Sequence, residues 1–454
     1  MINVVTSLLA FIVAIGVMVT VHEFGHYWVA RRCNVRVLRF SVGFGKPLWR
    51  RELGADRTEF VVAAIPLGGY VKMLDEREGE VAESEAHRAF NRQPVGSRAA
   101  IVAAGPAINF VLALFAYWLM FMIGVSGLTP LVGGVQENSP AAEAGFERGE
   151  QIRAIGNRAT PTWSDVRISL IDVGLDDAAP PVRVRVQTVD GETRERTLAV
   201  ASVSLRKGEE DPVGKLGLDY WLPELPARIS DVQPDSPAAN AGLRSGDRVV
   251  RADGNDIADW HDWVRYVRER PEEEIRVEVE RGGSIVNLRL SPARTEAGIG
   301  QIGAYGPVPD AAERERMFTT VRYGPLTAAS EGAVKTWEIT RLTVRVVTRL
   351  VTGEAALSNI SGPVTIAHYA GESARIGLAQ FLGFLALISI SIGILNLLPI
   401  PILDGGHLLY FLIEAIKGSP VSERAQMIGH QIGIVMLFGL MALALYNDFL
   451  RLVS

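Results

Sequence analysis

Four stretches of the chain carry almost no charge, and strongly charged sequence separates them. Residues 1–21 precede the first ionisable side chains, His22 and Glu23. Residues 99–136 are uncharged throughout, 376–403 are uncharged until Asp404, and 425–447 contain only His430 as a titratable group. About 20 apolar residues cross a bilayer as a helix. The pattern therefore predicts a polytopic α-helical membrane protein with four transmembrane helices, at 1–30, 99–125, within 376–416, and at 425–450. A buried core helix explains any one of these stretches but not all four. The first stretch does not read as a cleaved signal peptide. It lacks a basic start and an A-x-A site, and cleavage would discard His22.

Charge in the connections sets the expected orientation. Residues 31–98 hold 13 Lys+Arg against 9 Asp+Glu, which predicts a cytoplasmic loop. Residues 126–375 hold 30 against 37 and form a segment too long for its charges to orient it. Crossing at the second helix puts that segment outside. Lys417 and Arg424 return the last short loop to the cytoplasm, so both termini lie outside. Composition narrows the class further. The 454 residues are 48% apolar and 21% charged with net charge −5, which suits neither a disordered nor a nucleic-acid-binding chain. Cys33 is the one cysteine, so no intrachain disulfide and no CxxC metal knuckle exists.

Residues 132–163 and 229–260 align without gaps. Val135, Ser139, Pro140, Ala144, Gly145, Gly149 and Trp163 recur 97 residues later as Val232, Ser236, Pro237, Ala241, Gly242, Gly246 and Trp260. After each block the pattern predicts a helix and then alternating strands, at 182–188 and 275–279. Each unit closes on similar text, VGKLGLDY (213–220) and IGQIGAYG (299–306). A repeat this long means two tandem domains, expected at 126–222 and 223–308. The SPAxxAG blocks resemble the PDZ domains of bacterial envelope proteases. That likeness implies α+β domains that hold extended peptides by adding a strand to a sheet edge. Rigid spacers without a ligand are the other reading, and the sequence names no PDZ ligand.

VHEFGH (21–26) fits H-E-x-x-H. On a helix His22 and His26 share one face, so two nitrogens can meet one zinc, and Glu23 lies beside them. The motif alone is short. Its position at the end of an apolar span gives it weight, because ionisable groups there are costly and by default functional. Zinc catalysis needs a third protein ligand and an open position. Asp404 is the candidate: it sits in apolar sequence after Pro399 and Pro401, and a buried lone carboxylate must be paired or bind metal. His407 is its rival. His368 and His430 are isolated.

HEFGH near the N-terminus, GPAINF (105–110), the two PDZ-like units and NLLPIPILDGG (396–406) occur in the order that resembles the site-2 protease family of intramembrane zinc proteases, in particular its bacterial sigma-E-regulating branch. The resemblance covers nearly the whole chain. It implies that His22, His26 and Asp404 bind Zn²⁺, that Glu23 is the general base, and that Asn396 contacts the substrate backbone or the developing oxyanion. It also implies a Gram-negative inner membrane with the PDZ-like domains periplasmic. The implied substrates are single-span membrane proteins: an anti-sigma factor already trimmed outside, and remnant signal peptides. Within 31–98, the segments in 40–74 read as short strands around a turn at 66–69. The resemblance makes them a membrane-embedded β-hairpin near the site. A strand edge at Gly43, Phe44 and Gly45 is expected to hold substrate extended; a soluble cytoplasmic hairpin is the alternative. Residues 309–375 are expected to be an outer connector. In it, Leu342, Val346 and Leu350 alternate with Arg341, Arg345 and Arg349 as on an amphipathic surface helix. A PDZ scaffold without catalysis would have no reason to keep His22, Glu23, His26 and Asp404 together. A metal transporter would not explain Glu23 or the repeat.

Overall fold

In the computed structural model, residues 2–174, 180–200, 211–295, 298–353 and 362–453 are described. Part of the expected connector, 354–361, lies outside them, as do 175–179, 201–210 and 296–297 of the repeat region. The chain divides into two compact units. Their main parts are Met1–Val125 with Thr320–Phe449, and Ser126–Leu205 with Glu210–Thr319.

The first unit is helical apart from one small sheet. Its helices are α1 (Ile2–Arg32), α2 (Val95–Ile123), α3 (Pro325–Val351), α4 (Pro363–Ile376), α5 (Leu378–Leu397), α6 (Asp404–Lys417) and α7 (Glu423–Val453). Among the described residues, α1, α2, α5 and α7 are long and apolar enough to cross a membrane. Helix α2 is central and packs against α1, α3, α5 and α6. Small residues let the helices approach closely. A Cβ on Gly25 of α1 would lie 2.4 Å from the Ala104 carbonyl oxygen of α2, and one on Gly371 of α4 would lie 2.5 Å from the Ser7 Cα of α1. Polar ties cross the same interfaces. The Ser389 hydroxyl of α5 donates to the Asn109 carbonyl oxygen at 2.8 Å. Arg98 of α2 donates to Glu414 of α6 at 2.7 Å and stacks over Phe411. Asp448 of α7 caps α4, accepting from the N–H groups of Gly362 and Val364 at 2.9 and 2.8 Å. Helix α3 covers the residues expected to be amphipathic and begins earlier, at Pro325.

Strands β1 (Val37–Leu53) and β2 (Thr58–Met73) do more than pair as a hairpin. Each folds back on itself. The stretch 37–42 lies between two pieces of β2: Val42 faces Gly69 and Val37 faces Met73 on one side, while Arg39 faces Glu59 and Val42 faces Val62 on the other. The stretch 47–53 pairs outside 58–63, with Pro47 opposite Ala63 and Leu53 opposite Thr58. The result is four segments in the order 47–53, 58–63, 37–42, 69–73. Gly43 and Gly45, both at φ 90°, make the bend in β1, a conformation that favours glycine.

The second unit contains two modules with the same plan. In the first, Arg158–Ala159, Gln151–Ile155, Val182–Gln187 and Thr193–Leu198 form a sheet in that order, and Val132–Val135 pairs with Leu218–Tyr220. In the second, Asn255–Asp256, Arg248–Ala252, Ile275–Arg281 and Ser284–Leu290 repeat the sheet, and Asp231–Val232 pairs with Ala304–Tyr305. The helices Trp163–Gly174 and Trp260–Arg268 bury Trp163 and Trp263 in separate cores. The repeated residues have repeated jobs. Ser139 and Ser236 cap short helices by accepting from Ala142 and Ala239 N–H. Gly217 and Gly303 press against those serines, where a Cβ would lie 2.2 and 2.5 Å from the serine Cβ. Buried Glu150 pairs with Arg196, and buried Asp247 pairs with Arg281.

Burial alone would raise the Asp247 pKa, but two Arg281 bonds at 2.7 Å and the Arg244 N–H outweigh it and hold the carboxyl below its usual range. A depressed carboxyl stabilises the fold fully above its unfolded pKa, and that contribution fades as pH falls through the folded value. Asp247→Asn should therefore cost about 1.5–3 kcal/mol at neutral pH. The gap to wild type should shrink at pH 3 and below. Thermal melts of both proteins across that range check it; a gap that does not narrow in acid would refute the linkage.

Candidate metal centre

His22 and His26 stand one turn apart on α1, their rings edge to face with centroids 4.9 Å apart. Asp404 reaches them from the far end of the chain. Pro399 and Pro401 have no N–H with which to continue α5, so the chain doubles back. It does so tightly: a Cβ on Gly405 would lie 2.2 Å from the Leu398 carbonyl oxygen, and one on Gly406 2.3 Å from that of Ile400. Only glycines fit after Asp404. The carboxylate then opens α6, in the first turn, where the helix dipole favours negative charge.

The three ligand atoms form a nearly equilateral triangle. His22 Nε2 lies 3.3 Å from Asp404 Oδ2 and 3.3 Å from His26 Nε2, and His26 Nε2 lies 3.6 Å from Asp404 Oδ2. Tetrahedral zinc with bonds near 2.0–2.1 Å separates its ligand atoms by about 3.3 Å, so the donor set fits zinc. Three protein donors leave the fourth vertex open, as a catalytic site requires. Asp404 Oδ2 is buried and has no hydrogen-bond partner, the condition a metal would relieve. Among the described residues this is the only such group of His, Cys, Asp and Glu. His407 is outside it; its ring lies 5.8 Å from that of His430. His368 is exposed beside Glu372.

Helix α2 forms the floor of the centre, through residues four apart on one face. The Ile101 carbonyl oxygen lies 2.9 Å from His26 Nδ1 and accepts its proton, which leaves the Nε2 lone pair for a metal. A Cβ on Gly105 would lie 2.2 Å from His26 Nε2 and 2.9 Å from His22 Cε1, so no larger residue fits. Asn109, fully buried, meets His22 Nδ1 at 3.2 Å. Gly105 and Asn109 fall within GPAINF and Ile101 four residues before it, and no local pattern gave any of the three a role. The available signal was Asn109 itself, an amide inside an uncharged span.

Glu23 lies beside both imidazoles, with the Val71 N–H near its carboxylate. The sheet comes close here: a Cβ on Gly69 would lie 3.2 Å from Glu23 Cγ and 2.9 Å from Val19 Cγ1. The expected edge at Gly43, Phe44 and Gly45 lies where Phe44 pairs with Ile65 on one side. Those residues form the bend of β1: a Cβ on Gly43 would lie 2.6 Å from the Ile65 carbonyl oxygen, and Phe44 stacks on Tyr70. The edge beside Glu23 is 69–73, which pairs on one side only. A cavity of about 590 Å³ opens along that edge, lined by Tyr70, Val71, Lys72, His407, Tyr410 and Glu414 among others. Asn396, half-buried near the end of α5, makes no side-chain hydrogen bond among the described residues.

The model of Peptidase family M50 matches residues 10–440. The chain is 47% identical to "Regulator of sigma-E protease RseP" of Escherichia coli over 455 residues, covering 100% of both chains. It is 42% identical to a "Putative zinc metalloprotease" of Vibrio cholerae over 459 residues, again covering 100% of both. A solved PDZ domain of an SdrC-like protein from Listeria monocytogenes aligns with 17% of this chain and 84% of its own at 20% identity, with a TM-score of 0.16, too low to carry an argument. On the full-length matches, the chain belongs to peptidase family M50, the site-2 protease family, and is a zinc metalloprotease.

Proposed function

We propose that the chain is an intramembrane endopeptidase in which His22, His26 and Asp404 hold zinc and Glu23 is the general base. The observation that carries this reading is the triangle of ligand atoms at the end of an apolar helix, with spacings of 3.3–3.6 Å and one open vertex. Bound zinc supplies Lewis acidity toward water and the scissile carbonyl. Glu23 takes a proton from the attacking water on its carboxylate and returns it to the leaving amine nitrogen. Asn396 is assigned to the substrate backbone or the developing oxyanion.

A peptide bond inside a helix is shielded by its own turns, so the substrate span must unwind first. The one-sided edge at 69–73 gives an unwound segment a strand to pair with, next to Glu23. Its own strand register then sets which bond faces the metal. Gly43, Phe44 and Gly45 serve this by bending β1 so that 37–42 can back that edge. The sheet is assigned to the membrane boundary: Phe44, Leu48, Trp49, Val62 and Ile65 are exposed apolar side chains among Lys46, Arg50 and Arg51. The cavity along the edge is the water route.

The protein is assigned to a Gram-negative inner membrane, with residues 31–98 cytoplasmic and the two modules, read as PDZ-like domains, periplasmic. Its substrates are single-span membrane proteins of the anti-sigma-factor type, already trimmed outside, and signal-peptide remnants. This rests on the relatives named as sigma-E regulators and on the charge bias of the loops.

Glu23→Gln should reduce cleavage of a model membrane substrate by about 10²–10⁴-fold while zinc stays bound, because the amide keeps its shape and loses the base. Asp404→Asn should lose both activity and zinc, and His407→Ala should keep the metal. Metal analysis beside a cleavage assay reads all three. A Glu23→Gln enzyme with near wild-type turnover, or zinc lost from His407→Ala and kept by Asp404→Asn, would overturn the assignment.

The modules are assigned as a size filter. They carry no metal-ligand set of their own among the described residues. Deleting 130–306 should leave cleavage of a trimmed substrate intact and permit cleavage of an untrimmed one, with insertion and zinc content checked in parallel. A stably inserted, zinc-loaded deletion protein that still spares the untrimmed substrate rules the filter out.

A further inference from the structure

We infer that Asn109 is a positioning residue that fixes His22 in the tautomer able to bind metal. The inference rests on the reading of His22 as a zinc ligand. His22 presents Nε2 to Asp404 and His26, so a metal there needs the lone pair on Nε2 and the proton on Nδ1. A buried Nδ1–H needs an acceptor. Asn109 is the group facing it, at 3.2 Å, and its side chain is fully buried.

The amide has two orientations of the same shape, related by a half-turn that exchanges oxygen and nitrogen. With the NH₂ toward His22, Nδ1 must accept. The proton then moves to Nε2 and blocks the metal. In that orientation Asn109 Oδ1 is buried with no hydrogen-bond partner. The half-turn resolves the first fault: Oδ1 accepts from Nδ1–H, and Nε2 turns its lone pair toward Asp404 and His26. The NH₂ then occupies the position that Oδ1 left unpartnered, so one buried polar group lacks a partner in either orientation and the metal ligand gained on Nε2 decides between them.

The fold supports this orientation from two sides. On α2, Ile101 and Asn109 stand eight residues apart on one face, with Gly105 between them clearing space for both rings. Ile101 does for His26 what Asn109 does for His22, except that a backbone carbonyl has no second orientation. The Asn109 backbone is itself held across the bundle, its carbonyl oxygen accepting from Ser389. One helix therefore sets the tautomers of both imidazoles.

The test is zinc affinity of the purified full-length protein, measured by chelator competition on wild type, Asn109→Leu, Asn109→Asp and His22→Ala. Leucine keeps the volume and removes the acceptor; aspartate keeps an acceptor oxygen at the same place. Asn109→Leu should bind zinc about 10–100-fold more weakly, and Asn109→Asp should stay close to wild type. Where Leu is not tolerated, Asn109→Ala reads the same loss. The inference fails if the variants without an acceptor bind as tightly as wild type. It also fails if Asn109→Asp falls as far as Asn109→Leu, since packing alone would then explain the loss. His22→Ala separates the two levels. If it loses zinc while Asn109→Leu does not, only the role of Asn109 is wrong. If it keeps wild-type affinity, His22 is no ligand and the inference falls with that reading.

Discussion

The structure turns on one constraint: an aspartate brought into an apolar bundle must find partners there. A lone carboxylate in such surroundings is costly enough to exclude the arrangement. Asp404 meets two imidazoles at 3.3 and 3.6 Å from residues almost 400 positions earlier in the chain. Nearly every unusual feature of the first unit serves that meeting. The proline pair stops α5, two glycines let the chain reverse within van der Waals limits, and the new helix begins on the aspartate itself. The Arg98–Glu414 pair ties the body of α6 to α2, so the helix that carries Asp404 is anchored to the helix that supports both histidines.

Helix α2 has no first-ligand role, yet it sets the geometry. Its contacts with the two histidines recur every four residues, once as a backbone oxygen, once as empty space and once as an amide. Each solves a different problem: a tautomer, a clearance and a second tautomer. Ligands on α1 alone would share a face but not an orientation. Supporting groups of this kind fix ring direction and ligand basicity in metal sites generally.

Much of this was legible in the sequence, and the limits have physical causes. His22, Glu23, His26 and Asp404 stood out because charged groups inside uncharged runs have few structural uses. The repeat stood out because Ser139 and Gly145 carry turn and cap geometry that tolerates little substitution. The sheet did not. Its segments pair by way of bends at Gly43, Gly45 and Gly68, and no local pattern says that 37–42 will lie between 69–73 and 58–62. Hence the second one-sided edge, at 69–73 beside Glu23, was not foreseen. The paired charges of the modules were hidden for a related reason. Glu150 and Asp247 keep the repeat offset of 97, but their partners Arg196 and Arg281 are only 85 apart, so alignment at one offset cannot find them.

Placing an open strand edge beside a base has a consequence for chemistry. A protease that acts within a bilayer faces substrates whose backbone groups are already hydrogen-bonded in a helix. Unwinding them in an apolar medium leaves donors and acceptors without water, each a cost of several kcal/mol. A strand edge supplies replacement partners at the same spacing as the extended chain. Under the proposed function the edge at 69–73 does this within reach of Glu23, because Gly69 permits contact with α1 at Val19 and Glu23 that any side chain would prevent. On that proposal, the glycine that brings sheet and helix together links two requirements: an extended substrate backbone and a base close enough to use it.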